Sequence, residues 1–209
     1  MGASLGILGA GGWGTCLALL GHRSNHQVNL WEVFPEYAVI LQQRRENIYF
    51  LPGVKLPSGL RISASLKEVV TESRFLVLAV PSQHFRRTLK KLKTVYRGQP
   101  VLIATKGLEG QTGLTMSSVL NEIMGRIPFA VLSGPCIARE LAQGFPSAAV
   151  VASARPEVAR VFQKLLSSHL LRLYTTEDVK GVELGGAIKN VMAIGAGVID
   201  GLQLGVNTK

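Results

Sequence analysis

Cysteine is nearly absent from this chain: 209 residues carry two thiols, Cys16 and Cys136, with neither a metal-ligand spacing nor a disulfide framework around them. Both read as reduced, cytosolic thiols, and no metal site is expected. Acidic residues are scarce too, 13 against 23 Lys and Arg, for a formal net charge of +10. Such a balance admits nucleic acid, but the basic residues are scattered and the aromatics, at 6%, show no stacking pattern. Solvated basic faces and an anionic small ligand are expected instead, with no nucleic-acid partner. No uninterrupted apolar run reaches about 18 residues, because the most apolar segment, Val182 to Leu204, carries Glu183, Lys189 and Asp200. No membrane span is expected. The N-terminus shows no basic region leading into an apolar one, and Gly6 stands where a myristoylation signal needs Ser or Thr, so the expected location is cytoplasmic. Repeats and low-complexity tracts are missing as well. What remains is a globular chain, 47% hydrophobic, sized for one large domain or for one domain plus part of another.

The informative stretch is Ser4 to Thr15, where a short apolar run (Leu5, Ile7, Leu8) feeds into Gly9, Gly11 and Gly14. This is the spacing of the dinucleotide-binding fingerprint. Gly9 makes the tight turn, Gly11 lets a pyrophosphate approach the backbone, and Gly14 allows close packing of helix on strand. The helix that follows, Gly12 to Arg23, would point its unpaired N–H groups at the anion. Gln27 to Trp31 reads as the second strand. It ends at Glu32, which reads either as an ordinary solvated glutamate or as the carboxylate, about 20 residues beyond the glycines, that receives the adenosine ribose hydroxyls.

Strand and helix then alternate. Helices are expected at Pro35–Arg45, Leu66–Val70, Gln83–Leu92, Leu114–Met124, Ile137–Gln143 and Pro156–Leu166. Strands are expected at Ile62, Phe75–Val80, Val101–Ala104, Phe129–Leu132, Ala148–Ala152 and Leu171–Tyr174, with a loop over Asn47–Pro57. The alternation implies a Rossmann-type, doubly wound, mostly parallel sheet with its ligand edge at the C-terminal strand ends. From Asp178 the chain changes character into a helix rich in small residues. Gly181, Gly185 and Gly186 each cost about 1 kcal/mol relative to Ala, so something must approach that helix closely. The expected division is a dinucleotide-binding domain over 1–178 and, over 179–209, a linking helix with the start of a further, all-helical domain.

Two lysines stand out. Lys189 shares a face with Gly185 and Gly186, between Ile188 and Val191, without an acid at ideal pairing distance. A surface lysine is one reading of it; a proton-exchanging lysine is the other, since burial beside a like charge brings an ammonium nearer to neutral-pH exchange. Lys106, at a predicted strand end, is either another surface lysine or one placed to hold a carbonyl or phosphate oxygen.

Taken together, Gly9-Ala-Gly-Gly-Trp-Gly-Thr15, Asn47 with Tyr49-Phe-Leu-Pro-Gly53, Ala79-Val-Pro-Ser82, Ala104-Thr-Lys-Gly-Leu-Glu109, Leu132-Ser-Gly-Pro135 and Gly181-Val-Glu-Leu-Gly-Gly-Ala-Ile-Lys-Asn-Val191 resemble the bacterial NAD(P)-dependent glycerol-3-phosphate dehydrogenases over nearly the whole chain. The resemblance implies reversible hydride transfer between NAD, or NADP, and the pair sn-glycerol 3-phosphate and dihydroxyacetone phosphate, supplying the backbone of phospholipids. It makes Lys189 the proton donor and acceptor, also touching substrate, and Lys106 a contact of both cofactor and substrate. It further makes Gly134 and Cys136 substrate contacts, and Gly12, Trp13 and Ala138 cofactor contacts. A homodimer is compatible with the full-length form.

Three departures accompany it. Gly12 stands where Ser is common, and Cys136 where Ser or Thr is usual, which weakens a substrate hydrogen bond. The family also continues into a helical domain that supplies an Asp and an Arg-Asn pair for the substrate. Rival readings are a related dehydrogenase acting on a carboxylate, against which the Thr105-Lys106-Gly107 and Leu184–Asn190 blocks stand, and an NAD-binding fragment without turnover.

Overall fold

The computed structural model describes residues 2–205 and 208. The first half runs β1 (Ser4–Leu8), α1 (Gly12–Arg23), β2 (Gln27–Trp31), α2 (Pro35–Arg44), β3 (Glu46–Asn47), β4 (Leu51–Lys55), β5 (Arg61–Ser63), α3 (Leu66–Thr71) and β6 (Phe75–Leu78). The second half runs α4 (Ser82–Lys93), β7 (Val101–Ile103), α5 (Met116–Met124), β8 (Phe129–Ser133), α6 (Ala138–Ala142), β9 (Ser147–Ala152), α7 (Pro156–Leu166), β10 (Leu171–Thr176) and α8 (Val179–Gly201).

Eight strands form one sheet in the order β10-β9-β8-β7-β6-β1-β2-β5. The chain begins in β1, winds outward through β2 to β5, then crosses back to β6 on the other side of β1. That reversal opens a crevice above the C-terminal ends of β1 and β6, where doubly wound sheets bind ligands. The short apolar strands are buried on both faces, as continuous runs predict. Leu5, Ile7, Leu30, Val77 and Leu102 point to the side covered by α1 and α7. Leu8, Leu76, Leu78, Ile103 and Val131 point to the side covered by α3, α4 and α5.

Two features differ from the sequence reading. First, β9 runs antiparallel to β8, pairing Val131 with Ala152 and Ser133 with Val150, while β10 is parallel to β9. The cause is path length. The five-residue α6 advances the chain by about 7.5 Å at 1.5 Å per residue, too little to return it along a strand of about 16 Å, so the chain re-enters the sheet from the same edge. Second, the expected loop over Asn47–Pro57 contains the antiparallel pair β3–β4, with its register shifted between Glu46 and Asn47. Pro52 and the positive φ of Gly53 (80°) disguise β4. Side chains hold the pair together: Glu46 accepts from Gly53 N at 3.0 Å and from Lys55 Nζ at 2.8 Å.

α8 meets the length and composition for crossing a membrane, with mean hydropathy 1.4, although no uninterrupted apolar run exists, because an average tolerates isolated charges. Its first half docks on the sheet domain. Beyond that, Val191, Met192, Ile194 and Val198 are exposed and Ile199 is half-buried. Cys16 and Cys136 are both free and buried.

On the far side of α4, Arg86 holds Glu109 through Nε and NH2 at 2.7 and 2.8 Å, and Glu122 at 2.6 and 3.0 Å. These bonds to Arg86 depress the Glu109 carboxyl to about 2. A depressed carboxyl stabilises the fold above its unfolded pKa of about 4.3, and that contribution is lost as pH falls from there toward about 2. Glu109→Gln should therefore flatten the decline of the thermal midpoint across that window. An unchanged acid slope would remove Glu109 from this role.

Candidate functional site

The glycines of the first turn do what their spacing requires. Gly9 adopts a φ of +116° and donates from its N–H to Trp31 O at 3.1 Å. A Cβ on Gly14 would run into the Gly9 carbonyl oxygen, whereas one on Gly11 would meet nothing and project into open space. α1 begins without a side-chain cap and without an acid in its first turn. Its first N–H groups and the positive end of its dipole are left for an anion.

A buried amide fastens this turn to the neighbouring hairpin. Asn47, fully buried, donates from Nδ2 to Ala10 O and Thr15 Oγ1, both at 2.7 Å. Its Oδ1 accepts from the Tyr37 hydroxyl at 2.7 Å and from Phe50 N at 3.1 Å. The Tyr49 ring stacks on Tyr37 at 5.0 Å, and Phe50 meets Tyr37 edge-on at 6.1 Å. The Phe50 carbonyl oxygen sits 2.6 Å from where a Cβ of residue 12 would stand. Gly12, where serine is common in the resembling family, is thus matched here to a hairpin pressed against the turn.

The crevice is a cleft of about 1140 Å³. One end is walled by Trp31, Glu32, Val33 and Phe34, with Tyr37 and Ile40 from α2; the floor is the glycine turn; the other end reaches Ala104, Thr105, Lys106, Cys136 and Ala138. Glu32 is 5% exposed, and its Oε1 accepts from Phe34 N at 3.0 Å. Burial raises its pKa above the ordinary glutamate value. Trp13 lines the cleft with its buried Nε1 unpartnered among the described residues, an orphan donor of the kind a bound polar group satisfies. The open cradle at Gly11, the uncapped α1 and this indole fit a dinucleotide.

At the far end, Lys106 Nζ donates to Gly134 O at 2.7 Å and lies 5.5 Å from the centroid of the Trp13 ring. Burial lowers its pKa, and the like charge of Lys189 lowers it further. Gly134 has no room for a side chain, since a Cβ would stand 2.8 Å from Ala149 Cα. Cys136 Sγ lies 3.5 Å from Ala148 O, its thiol pushed up by burial. The close approach expected of the glycine-rich helix occurs at Gly186, where a Cβ would strike Ser133 Oγ and stand 3.9 Å from Lys106 Cγ. At Gly185 it would meet nothing. Gly181 packs on the helix's own cap, Asp178, which accepts from Gly181 N at 2.8 Å.

The structure therefore gathers Gly9, Gly11, Gly12, Trp13, Glu32, Lys106, Cys136 and Ala138 on one cleft. Gly14 and Gly134 lie behind its lining as packing glycines. Lys189, half-buried on α8, stands near Lys106 but outside the lining of the cleft. Sequence reasoning missed the face of α4 formed by His84, Arg87, Thr88 and Lys91, which also lines the cleft. Their i, i+3, i+4, i+7 spacing directly after a strand end was the available signal. Among the described residues no group of His, Cys, Asp and Glu could hold a metal.

Comparison with known proteins agrees with this fold. A family model described as NAD-dependent glycerol-3-phosphate dehydrogenase N-terminus matches residues 4–159, and its C-terminal counterpart matches residues 178–209. A glycerol-3-phosphate dehydrogenase [NAD(P)+] of Geobacter metallireducens is 44% identical over 215 residues, covering 100% of this chain and 64% of that protein. One from Hydrogenovibrio crunogenus is 41% identical over 211 residues, covering 99% and 61%. The crystal structure of glycerol-3-phosphate dehydrogenase from Coxiella burnetii superposes with a TM-score of 0.90 at 32% identity, covering 99% of this chain and 63% of that one. The chain thus spans a little under two thirds of the length of these relatives.

Proposed function

The chain belongs to the NAD-dependent glycerol-3-phosphate dehydrogenase family, and from that premise we propose that it binds NAD(H) in the cleft and carries the proton-transfer lysines for interconverting sn-glycerol 3-phosphate and dihydroxyacetone phosphate. The observation that carries this reading is Lys106, half-buried at the end of the cleft away from Glu32, with Lys189 on α8 close enough for its charge to lower the Lys106 pKa further. The cofactor, when bound, accepts or supplies the hydride at C2 of the substrate.

The protein's own residues do the rest. The N–H groups of the α1 N-terminus and the bare backbone of Gly11 hold the pyrophosphate, with Gly12, Trp13 and Ala138 flanking it. Glu32 accepts from the adenosine ribose hydroxyls. Lys106, braced between Gly134 O and the Trp13 ring, presents positive charge to the substrate oxygen as it becomes an alkoxide. Lys189 delivers the proton to that oxygen in reduction and removes it in oxidation. Gly134 and Cys136 border the substrate. On the same reading residues 1–178 are the dinucleotide-binding domain, and α8 links it to a helical substrate domain that supplies the phosphate-fixing groups. A homodimer is compatible with this arrangement, and the free thiols suit the cytoplasm.

The test is titration with both cofactors alongside an assay of dihydroxyacetone phosphate reduction. NADH should bind about tenfold or more tightly than NADPH, a difference of about 1.4 kcal/mol, because the Glu32 carboxylate opposes a 2′-phosphate. Arg45 is not free to offset it, since its guanidinium donates to Leu60 O at 2.8 Å and Ser58 O at 2.6 Å. Arg87 and Lys91, on the cleft, supply the positive charge through which NADPH still binds. Discrimination should grow as pH rises through the Glu32 titration, since only the ionised form repels, and Glu32→Gln should narrow it. Equal affinities in the unaltered protein would remove Glu32 from this role, and no binding of either nucleotide would overturn the cofactor reading.

A further inference from the structure

We propose that Glu183 is the positioning residue that seats α8 and so sets the separation of Lys189 from Lys106. α8 is 23 residues long, yet among its described residues the one that is buried is this glutamate. Its Oε1 accepts from Ser117 N at 2.7 Å and its Oε2 from Ser117 Oγ at 2.6 Å, across 66 positions of sequence. Ser117 lies in the first turn of α5, which has no acid of its own there. The first-turn N–H groups of a helix lack intrahelical partners and carry the positive end of its dipole. Glu183 supplies the missing carboxylate from outside, in two charge-assisted bonds.

Little else fixes this helix. Val179 and Val182 rest partly buried against the core around α4 and α5, and Gly186, one turn after Glu183, abuts Ser133. Past that point Ile188 and Val191 are 52% and 68% exposed. The contacts that orient α8 therefore lie within its first two turns, and the carboxylate is their directional member. Lys189 follows Glu183 by under two turns, so a pivot at the carboxylate swings the ammonium across the site. Misplacement by about 1 Å is enough to cost a hundredfold in a reaction that depends on alignment. The importance of this seat for turnover rests on the role proposed above for Lys189; the seat itself does not.

The experiment reads the Lys106 titration in the 209-residue chain, by NMR of isotopically dimethylated lysines assigned through Lys106→Arg, with circular dichroism as the check on folding. Lys106 faces Lys189 and Cys136. Lys189→Met should move its titration upward by removing a like charge. Glu183→Ala should move it upward by a similar amount, because the ammonium is no longer held nearby. Glu183→Gln should restore the original value, its carbonyl accepting from Ser117 N–H and its amide donating to Ser117 Oγ. If Glu183→Ala unfolds the protein, Ser117→Ala, which removes one of the two bonds, should give a smaller shift in the same direction. A Lys106 titration unmoved in Glu183→Ala, or in Ser117→Ala where that substitutes for it, while Lys189→Met shifts it, overturns the proposal. So does a Lys189→Met that shifts nothing. A fusion carrying the remaining third of the Geobacter metallireducens relative that stays inactive while these shifts are intact would instead count against the proposed reaction and leave the seat standing.

Discussion

Lys189→Ala should lower dihydroxyacetone phosphate reduction by about two to four orders of magnitude, the share a positioned general acid contributes, while NADH affinity stays nearly constant. The split follows from placement. Lys189 is off the lining of the dinucleotide cleft yet close enough to lower the Lys106 pKa, so in the role proposed for it above its loss should affect the proton transfer and spare nucleotide binding. The assay is best made in a fusion that appends the remaining third of the Geobacter metallireducens relative, since the matched region ends within that protein. The 209-residue chain assayed alone should bind NADH and turn over far more slowly than the fusion, with the apolar face of α8 exposed at Val191, Met192 and Ile194. Wild-type turnover in the variant fusion would make Lys189 a structural lysine and pass the proton to Lys106.

Gly14→Ala should be strongly damaging for a single added methyl. Its Cβ would press on the Gly9 carbonyl oxygen and stand 3.2 Å from Ala79 Cβ, so neither α1 nor the turn can keep its position. Overpacking typically costs 1–3 kcal/mol. A backbone oxygen cannot rotate away as a side chain does, so about 3 kcal/mol is expected here. NADH affinity should fall with it, because the displaced turn is the one that would hold the pyrophosphate. Gly11→Ala is the informative contrast. Its Cβ meets no protein atom, so stability should be kept and binding reduced. Equal thermal midpoints for Gly14→Ala and the unaltered protein would show that the turn is looser than its geometry indicates.

Much of this was legible in residues alone where burial imposes a pattern. β2 and the start of α2 fall where alternation and a leading proline placed them, and the strands around the crevice follow their apolar runs because both faces of the sheet are covered. The glycine turn, Glu32 and Lys106 converge as a βαβ reading requires. What escaped was set by long-range geometry. The direction of β9 depends on how far α6 carries the chain, which no local pattern records. β4 hides behind Pro52 and Gly53, since bonds donated to Glu46 by Gly53 N–H and to Asn47 by Phe50 N–H, not β-propensity, keep it. The cleft face of α4 looks like any solvated basic helix. Glu183 is the sharpest case, because a glutamate in a helix reads as exposed until the helix N-terminus that it meets is known.

Asn47 has a consequence for motion. With its amide fully buried and engaged by Ala10, Thr15, Tyr37 and Phe50, the hairpin cannot lift from Gly12 without stranding hydrogen-bonding groups in the interior, at about 1–3 kcal/mol for each one left unpaired. Turn and hairpin therefore breathe as one cooperative unit through local unfolding, not about a hinge. Rapid exchange of a nucleotide has to proceed by a route that leaves this amide in place.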